Sequence, residues 1–170
     1  AQDGINNIAV VPGLLIPANH AKRDIPDKVI KLTRKYPALN FKYGRPLGIH
    51  PNILKVCSEH IQTAESNSIS SIIRAETLLM TVAHGSSDHE VNSTTAKVSQ
   101  MLQKSMGFGG SETSFIGANQ PLLSEALETN IKTGFKRIVV FPYFLFSGVL
   151  TKRIASIVDD IQKKHPEVEF

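Results

Sequence analysis

The chain has 170 residues, 41% hydrophobic and 20% charged, with a net charge of +4. That mixture supports one domain or two small ones around a real core and excludes a disordered or collagen-like chain. No apolar run reaches the roughly 18 residues of a membrane span, and the single Cys57 excludes an internal disulfide framework or a cysteine-cluster zinc site. Trp is absent, and no Lys/Arg block is interleaved with aromatics, so nucleic acid is disfavoured as a partner. The mild positive excess suits an anionic small molecule instead. The opening Ala1-Gln2-Asp3-Gly4 has neither the basic start nor the apolar stretch of a secretory signal, so a cytoplasmic location is expected.

Residues 7–16 (NIAVVPGLLI) form a near-continuous apolar run, which predicts a strand buried on both faces. Val29, Ile30 and Leu32 predict a helix over 27–35, with Asp24 as its cap, Pro26 in its first turn and Pro37 ending it. A short strand follows at 39–43, then a turn at Gly44 and Pro46. Pro51 opens a helix through about residue 64 whose apolar face carries Ile53, Leu54, Cys57 and Ile61. Residues 65–76 (ESNSISSIIRAE) are Ser-rich and aperiodic, the mark of a linker between a first unit, 1–64, and a second, 77–170. In the second unit the pattern predicts strands at 77–83, 112–116 and 137–146, and helices at 89–106, 122–133 and 150–164. This alternation predicts an α/β fold of parallel sheets with helices on both faces. Ligands in such folds bind at the C-terminal ends of the strands.

The two ends of the chain repeat each other. Gly4, Ile8, Val10, Pro12 and Leu15 match Gly134, Ile138, Val140, Pro142 and Leu145, and Lys22-Arg23 matches Lys152-Arg153. After a one-residue gap, Lys35, Pro37 and Phe41 match Lys164, Pro166 and Phe170. Burial alone demands Val, Ile and Phe but not identical Gly, Pro and Lys-Arg, so two similar repeated units are expected. A repeat this long in a chain this short implies that the sequence begins inside one copy and ends inside the next. The piece is then expected to expose an apolar sheet edge and to self-associate as a homo-oligomer.

Two histidines follow strands. His20 lies in Pro17-Ala18-Asn19-His20-Ala21-Lys22-Arg23-Asp24, and His84 opens His84-Gly85-Ser86-Ser87-Asp88. Neutral imidazole binds divalent iron, cobalt or nickel and also accepts a proton; the plainer alternative for His20 is a bond to a loop carbonyl. Ser86 and Ser87, with the following helix N-terminus, offer donors to a carboxylate, or else form only a capping turn. Lys22, Arg23 and Arg45 lie near the strand ends as candidate anion contacts or as solvated charges. His50, His60, His89 and His165 read as turn or surface residues. No dinucleotide glycine motif, P-loop or hydrolase elbow occurs.

Taken together, residues 8–26 (IAVVPGLLIPANHAKRDIP), 43–51 (YGRPLGIHP), 78–88 (LLMTVAHGSSD) and 139–154 (VVFPYFLFSGVLTKRI) resemble the sirohydrochlorin chelatases in their long two-domain form. The resemblance implies insertion of a divalent metal, Fe2+ or Co2+ and also Ni2+, into sirohydrochlorin for sirohaem or cobalamin synthesis. The metal is then a substrate, the partner is an anionic tetrapyrrole, and no organic cofactor, nucleic acid or membrane is involved. It also implies that a His of the first domain's His-Gly-Ser turn, a Glu after its second strand and a His at the place of His20 hold the metal. Of that set only His20 is present, and the other two would precede Ala1. In the second copy Leu150 stands at the place of His20 and Gly117 at that of the Glu. His84 is kept, as a catalytic and metal-binding candidate or as a relic. Arg45, Ser86 and Ser87 are the expected substrate contacts. Alternative readings are a protoporphyrin ferrochelatase and a non-catalytic tetrapyrrole-binding or metal-binding module.

Overall fold

The structure is a computed structural model that describes residues 4–18, 20–117 and 119–170, with His20 described in its backbone only. The chain divides into two compact units, Ala1–His50 and Pro51–Phe170. The first holds strand β1 (Asn7–Val10), a single π-helical turn (His20–Asp24), helix α1 (Ile25–Lys35) and strand β2 (Asn40–Tyr43). The strands pair in parallel, Asn7 opposite Asn40 and Val10 opposite Tyr43. The second unit holds α2 (Pro51–Ser66), a 3-10 turn (Arg74–Glu76), β3 (Thr77–Ala83), α3 (His89–Met106), β4 (Gly110–Phe115), α4 (Leu123–Ile131), β5 (Arg137–Pro142) and α5 (Val149–Lys164). Its strands are parallel in the order β4-β3-β5.

β3 explains why this sheet needs cover on both sides. Every residue from Thr77 to Ala83 is buried, and alternate side chains point to opposite faces. Leu78, Met80 and Val82 join Ile116, Leu123, Leu127, Ile138, Ile154 and Ile161 in one core cluster under α4 and α5. On the other face the Thr81 hydroxyl donates to Ser99 Oγ of α3 at 2.9 Å, and Ser99 donates to the Glu112 carbonyl at 3.3 Å. Two buried hydroxyls are thereby satisfied without water. The expected α/β fold of parallel sheets is what the chain forms.

The repeat is visible in the backbone. Gly4 and Gly134 both take positive φ, 70° and 88°, just before β1 and β5. α1 and α5 end alike: Tyr36 (φ −128°, ψ 72°) donates to the Leu32 carbonyl, and His165 (φ −127°, ψ 68°) to that of Ile161. Beyond each helix the chain returns to the same edge, for Asn40 pairs with Asn7 as Glu169 pairs with Arg137. The bond from Asn40 N–H to the Asn6 carbonyl has its counterpart from Glu169 N–H to that of Lys136. Both stretches follow one strand–helix–strand path.

Some elements differ from expectation. β1 stops at Val10, because Pro12 lacks the N–H that would carry the ladder onward, and β5 stops at Pro142, past which Tyr143 N–H still donates to the Val82 carbonyl. β1 alternates exposed and half-buried residues instead of lying buried on both faces. Asp24 does not cap α1 with its side chain; its backbone is already helical (φ −64°, ψ −43°), since the π-helical turn feeds straight into the helix. Helix α2 and residues 65–76 cluster with the second unit.

Candidate functional site

In the first unit, residues 11–15 leave β1 beside residues 44–48 leaving β2. Gly44, Leu47 and Gly48 N–H donate to the carbonyls of Val10, Leu14 and Leu15 at 2.9–3.0 Å. The Tyr43 hydroxyl, at the end of β2, donates to the Ala21 carbonyl at 2.9 Å. That bond ties the π-helical turn that begins with His20 to the C-terminal side of the sheet. The side chain of His20 lies outside the described part of the structure. Arg45 is exposed on the same loop level, and Lys22 and Arg23 are exposed in the π turn.

In the second unit the strand ends carry His84, Gly117, Asn119 and Tyr143. His84 is exposed, directly after β3. Its Nδ1 lies 3.1 Å from the Gly85 carbonyl. Gly117 follows β4 so closely that a Cβ there would meet the His84 carbonyl at 2.8 Å and its Nε2 at 3.0 Å. Gly85 has φ +87°, and a Cβ on it would meet Asn119 Oδ1 at 2.9 Å. That buried oxygen has no hydrogen-bond partner.

The serines of the turn are mostly engaged. Asn92 accepts from Ser86 N–H at 3.1 Å and donates to the Ser86 carbonyl at 2.8 Å. Ser86 Oγ accepts from Asp88 N–H, and the Asp88 carboxylate accepts from Glu90 N–H at the start of α3. An Asp already occupies this helix N-terminus, so the geometry is that of a capping turn. The Ser86 hydroxyl, expected to donate to an anion, here accepts from Asp88 N–H, and the Ser86 N–H is bonded to Asn92. Ser87 is exposed.

Tyr143 follows β5, its N–H bonded to the Val82 carbonyl at 2.8 Å. Its hydroxyl is buried without a partner. Burial pushes the phenol up to about 12, with a further contribution from Cys57. Burial likewise raises the Cys57 thiol to about 11, so both groups stay protonated near neutrality.

At the opposite end of β5, Glu65 binds Arg74 at 2.7 Å and Arg137 at 3.3 Å. A cavity of about 170 Å³ adjoins them, lined also by Ser68, Val139, Val140, Glu169 and Phe170. It sits at the N-terminal side of the strands, away from His84, and its charges are already paired. Among the described residues no three His, Cys, Asp or Glu side chains form a metal-binding group.

The CbiX family model matches residues 1–64 and 78–170. The chain belongs to the CbiX family. The resemblance to sirohydrochlorin chelatases is thereby borne out. The chain is 36% identical over 167 residues to a sirohydrochlorin cobaltochelatase of Priestia megaterium, covering 98% of itself and 54% of that protein. It is 31% identical over 160 residues to a sirohydrochlorin ferrochelatase of the same organism, covering 94% of itself and 58% of the relative. The crystallographic neighbour SirB from Bacillus subtilis with Fe3+ superposes with a TM-score of 0.79 at 28% identity, over 99% of this chain and 64% of that one. The chain thus spans little more than half the length of these curated relatives.

Sequence reasoning proposed His20 and His84 and did not single out Asn92, Asn119 or Tyr143, whose surroundings only the structure shows. Gly117 carried a signal, a glycine directly after a strand, yet nothing in the sequence links it to a histidine more than thirty positions earlier.

Proposed function

We infer that the chain is part of a sirohydrochlorin chelatase that inserts a divalent metal into its tetrapyrrole substrate. The observation that carries this is the continuous match to the cobaltochelatase and ferrochelatase relatives over nearly the whole chain. Metal insertion exchanges two pyrrole N–H protons for a cation. It needs a base for the protons and a ligand that releases the metal, and neutral imidazole serves in either role. We assign these roles to His20, at the strand ends of the first unit; His84, which opens the His-Gly-Ser turn of the second unit, is a further candidate there. Exposed Arg45 and the hydroxyls of Ser86 and Ser87 meet the substrate carboxylates, and the net charge of +4 favours approach of the polyanion. Iron and cobalt are the first metals of choice. Nickel is also accepted, since imidazole ligands bind it at least as well. No helix among the described residues is long and apolar enough to cross a membrane; the cytoplasm is the proposed location.

The test is insertion of Fe2+, Co2+ or Ni2+ into sirohydrochlorin by the purified protein, followed by the change in tetrapyrrole absorbance. Turnover above the uncatalysed rate supports the reading. Tetrapyrrole binding without insertion by any of the three overturns it in favour of a non-catalytic module, and insertion into protoporphyrin alone overturns the substrate.

A further inference from the structure

We propose that Gly85 and Gly117 are positioning residues that fix the tautomer of His84, so that its imidazole presents Nε2 as a lone-pair acceptor. A carbonyl oxygen only accepts, so the 3.1 Å contact between Nδ1 and the Gly85 carbonyl requires the proton on Nδ1. In the neutral ring the lone pair is then on Nε2.

Two features hold that arrangement. Gly85 has φ +87°, a conformation in which a side chain is strained, and Asn119 packs against its Cα, leaving no room for a Cβ. Gly117 lets the Nε2 edge lie against bare backbone. A methyl group there would sit 3.0 Å from Nε2 and 2.8 Å from the His84 carbonyl, and the second of these is a backbone atom that cannot simply rotate away. Gly117 thus leaves the space in which the ring lies, while Gly85 makes room for Asn119 and offers its own carbonyl to Nδ1. His84 is an exposed residue, and an acceptor at Nε2 is what a group that seeks a lone pair, a pyrrole N–H or a divalent cation, requires. That use rests on the chelatase reading; the tautomer does not.

The test uses the protein labelled with 15N-histidine, its His84 signals assigned with His84→Gln. Long-range 1H–15N spectra are recorded at a pH where the ring is neutral. The expected result is a pyrrole-type nitrogen at Nδ1 and a pyridine-type nitrogen at Nε2. A dominant Nε2–H tautomer in the unaltered protein overturns the proposal, whether or not any variant folds. In Gly117→Ala with an unchanged circular dichroism spectrum, the two tautomers are expected to mix; an unchanged spectrum of His84 removes Gly117 from the role. Insertion activity separates the two readings. A protein that shows the Nδ1–H tautomer but inserts no metal loses the chelatase reading alone, and one that inserts metal with the opposite tautomer loses this proposal alone.

Discussion

Replacing Glu65 by alanine tests what fastens α2 and the segment after it to the second unit. The Arg137 side chain is 8% exposed and that of Glu65 14%, so the charges are held largely out of water. Without Glu65, Arg137 keeps, among the described residues, the Thr77 hydroxyl at 3.1 Å and the Glu169 carboxylate at 3.9 Å. Removing one partner of a buried pair costs about 3–5 kcal/mol, because the other charge stays buried. The remaining contacts put Glu65→Ala at the low end, about 3 kcal/mol, or a fall in the melting midpoint of roughly 10 °C for a unit of this size. Arg137→Met is expected to cost clearly less, since Glu65 retains Arg74 at 2.7 Å and Met fills the volume. Thermal and urea unfolding followed by circular dichroism measure both. The reasoning is refuted if Glu65→Ala costs less than about 1 kcal/mol, or if Arg137→Met is the more damaging change.

Three further outcomes are expected. Asp88→Ala, which removes the acceptor for Glu90 N–H, should lower stability by about 1 kcal/mol, read from the urea midpoint. Folding raises Cys57 from 9.0 to about 11 and Tyr143 from 10.0 to about 12. Both groups favour the folded state while protonated, so their stabilisation is complete below pH 9 and is lost as pH rises through about 12. Melting midpoints across alkaline pH should fall in that window, and Cys57→Ala should shift the onset upward. His20→Ala in the full-length protein should abolish metal insertion with the melting midpoint nearly unchanged; wild-type turnover in that variant, with tetrapyrrole binding intact, removes His20 from the mechanism.

What the sequence discloses here is what burial and local chemistry dictate. β3 is legible because a strand buried on both faces must be apolar along its whole length, and α3 because Asp88 caps it beside an amphipathic run. The length of β1 was obscured because Val11, Leu14, Leu15 and Ile16 continue the apolar pattern after Pro12 has ended the ladder. The π-helical turn at His20–Asp24 left no mark, since Ala21, Lys22 and Arg23 are ordinary helix residues. Residues 65–76 read as a linker from their serines, yet Glu65 binds Arg137, Ser68 binds Glu169 and Arg74 donates to the Met106 carbonyl, all far along the chain. Such pairings depend on which charges the fold brings together, and no periodicity announces them. The same holds for His84 against Gly117, where the decisive feature is a missing side chain.

The matched pairs at the base of the repeat bear on how the chain avoids confusing its own halves. Duplicated units invite strand exchange, because each edge is a ready template for the other's return strand. At the first rung one unit uses two amides, with Asn40 Nδ2 donating to Asn7 Oδ1 at 3.0 Å. The other uses charge, Arg137 beside Glu169, and Glu65 extends it. A swapped strand would set Glu169 against Asn7, or Asn40 against Arg137, and leave a charge without its counterion. Divergence at one rung therefore gives each repeated stretch an address, so that each folds back onto its own strand.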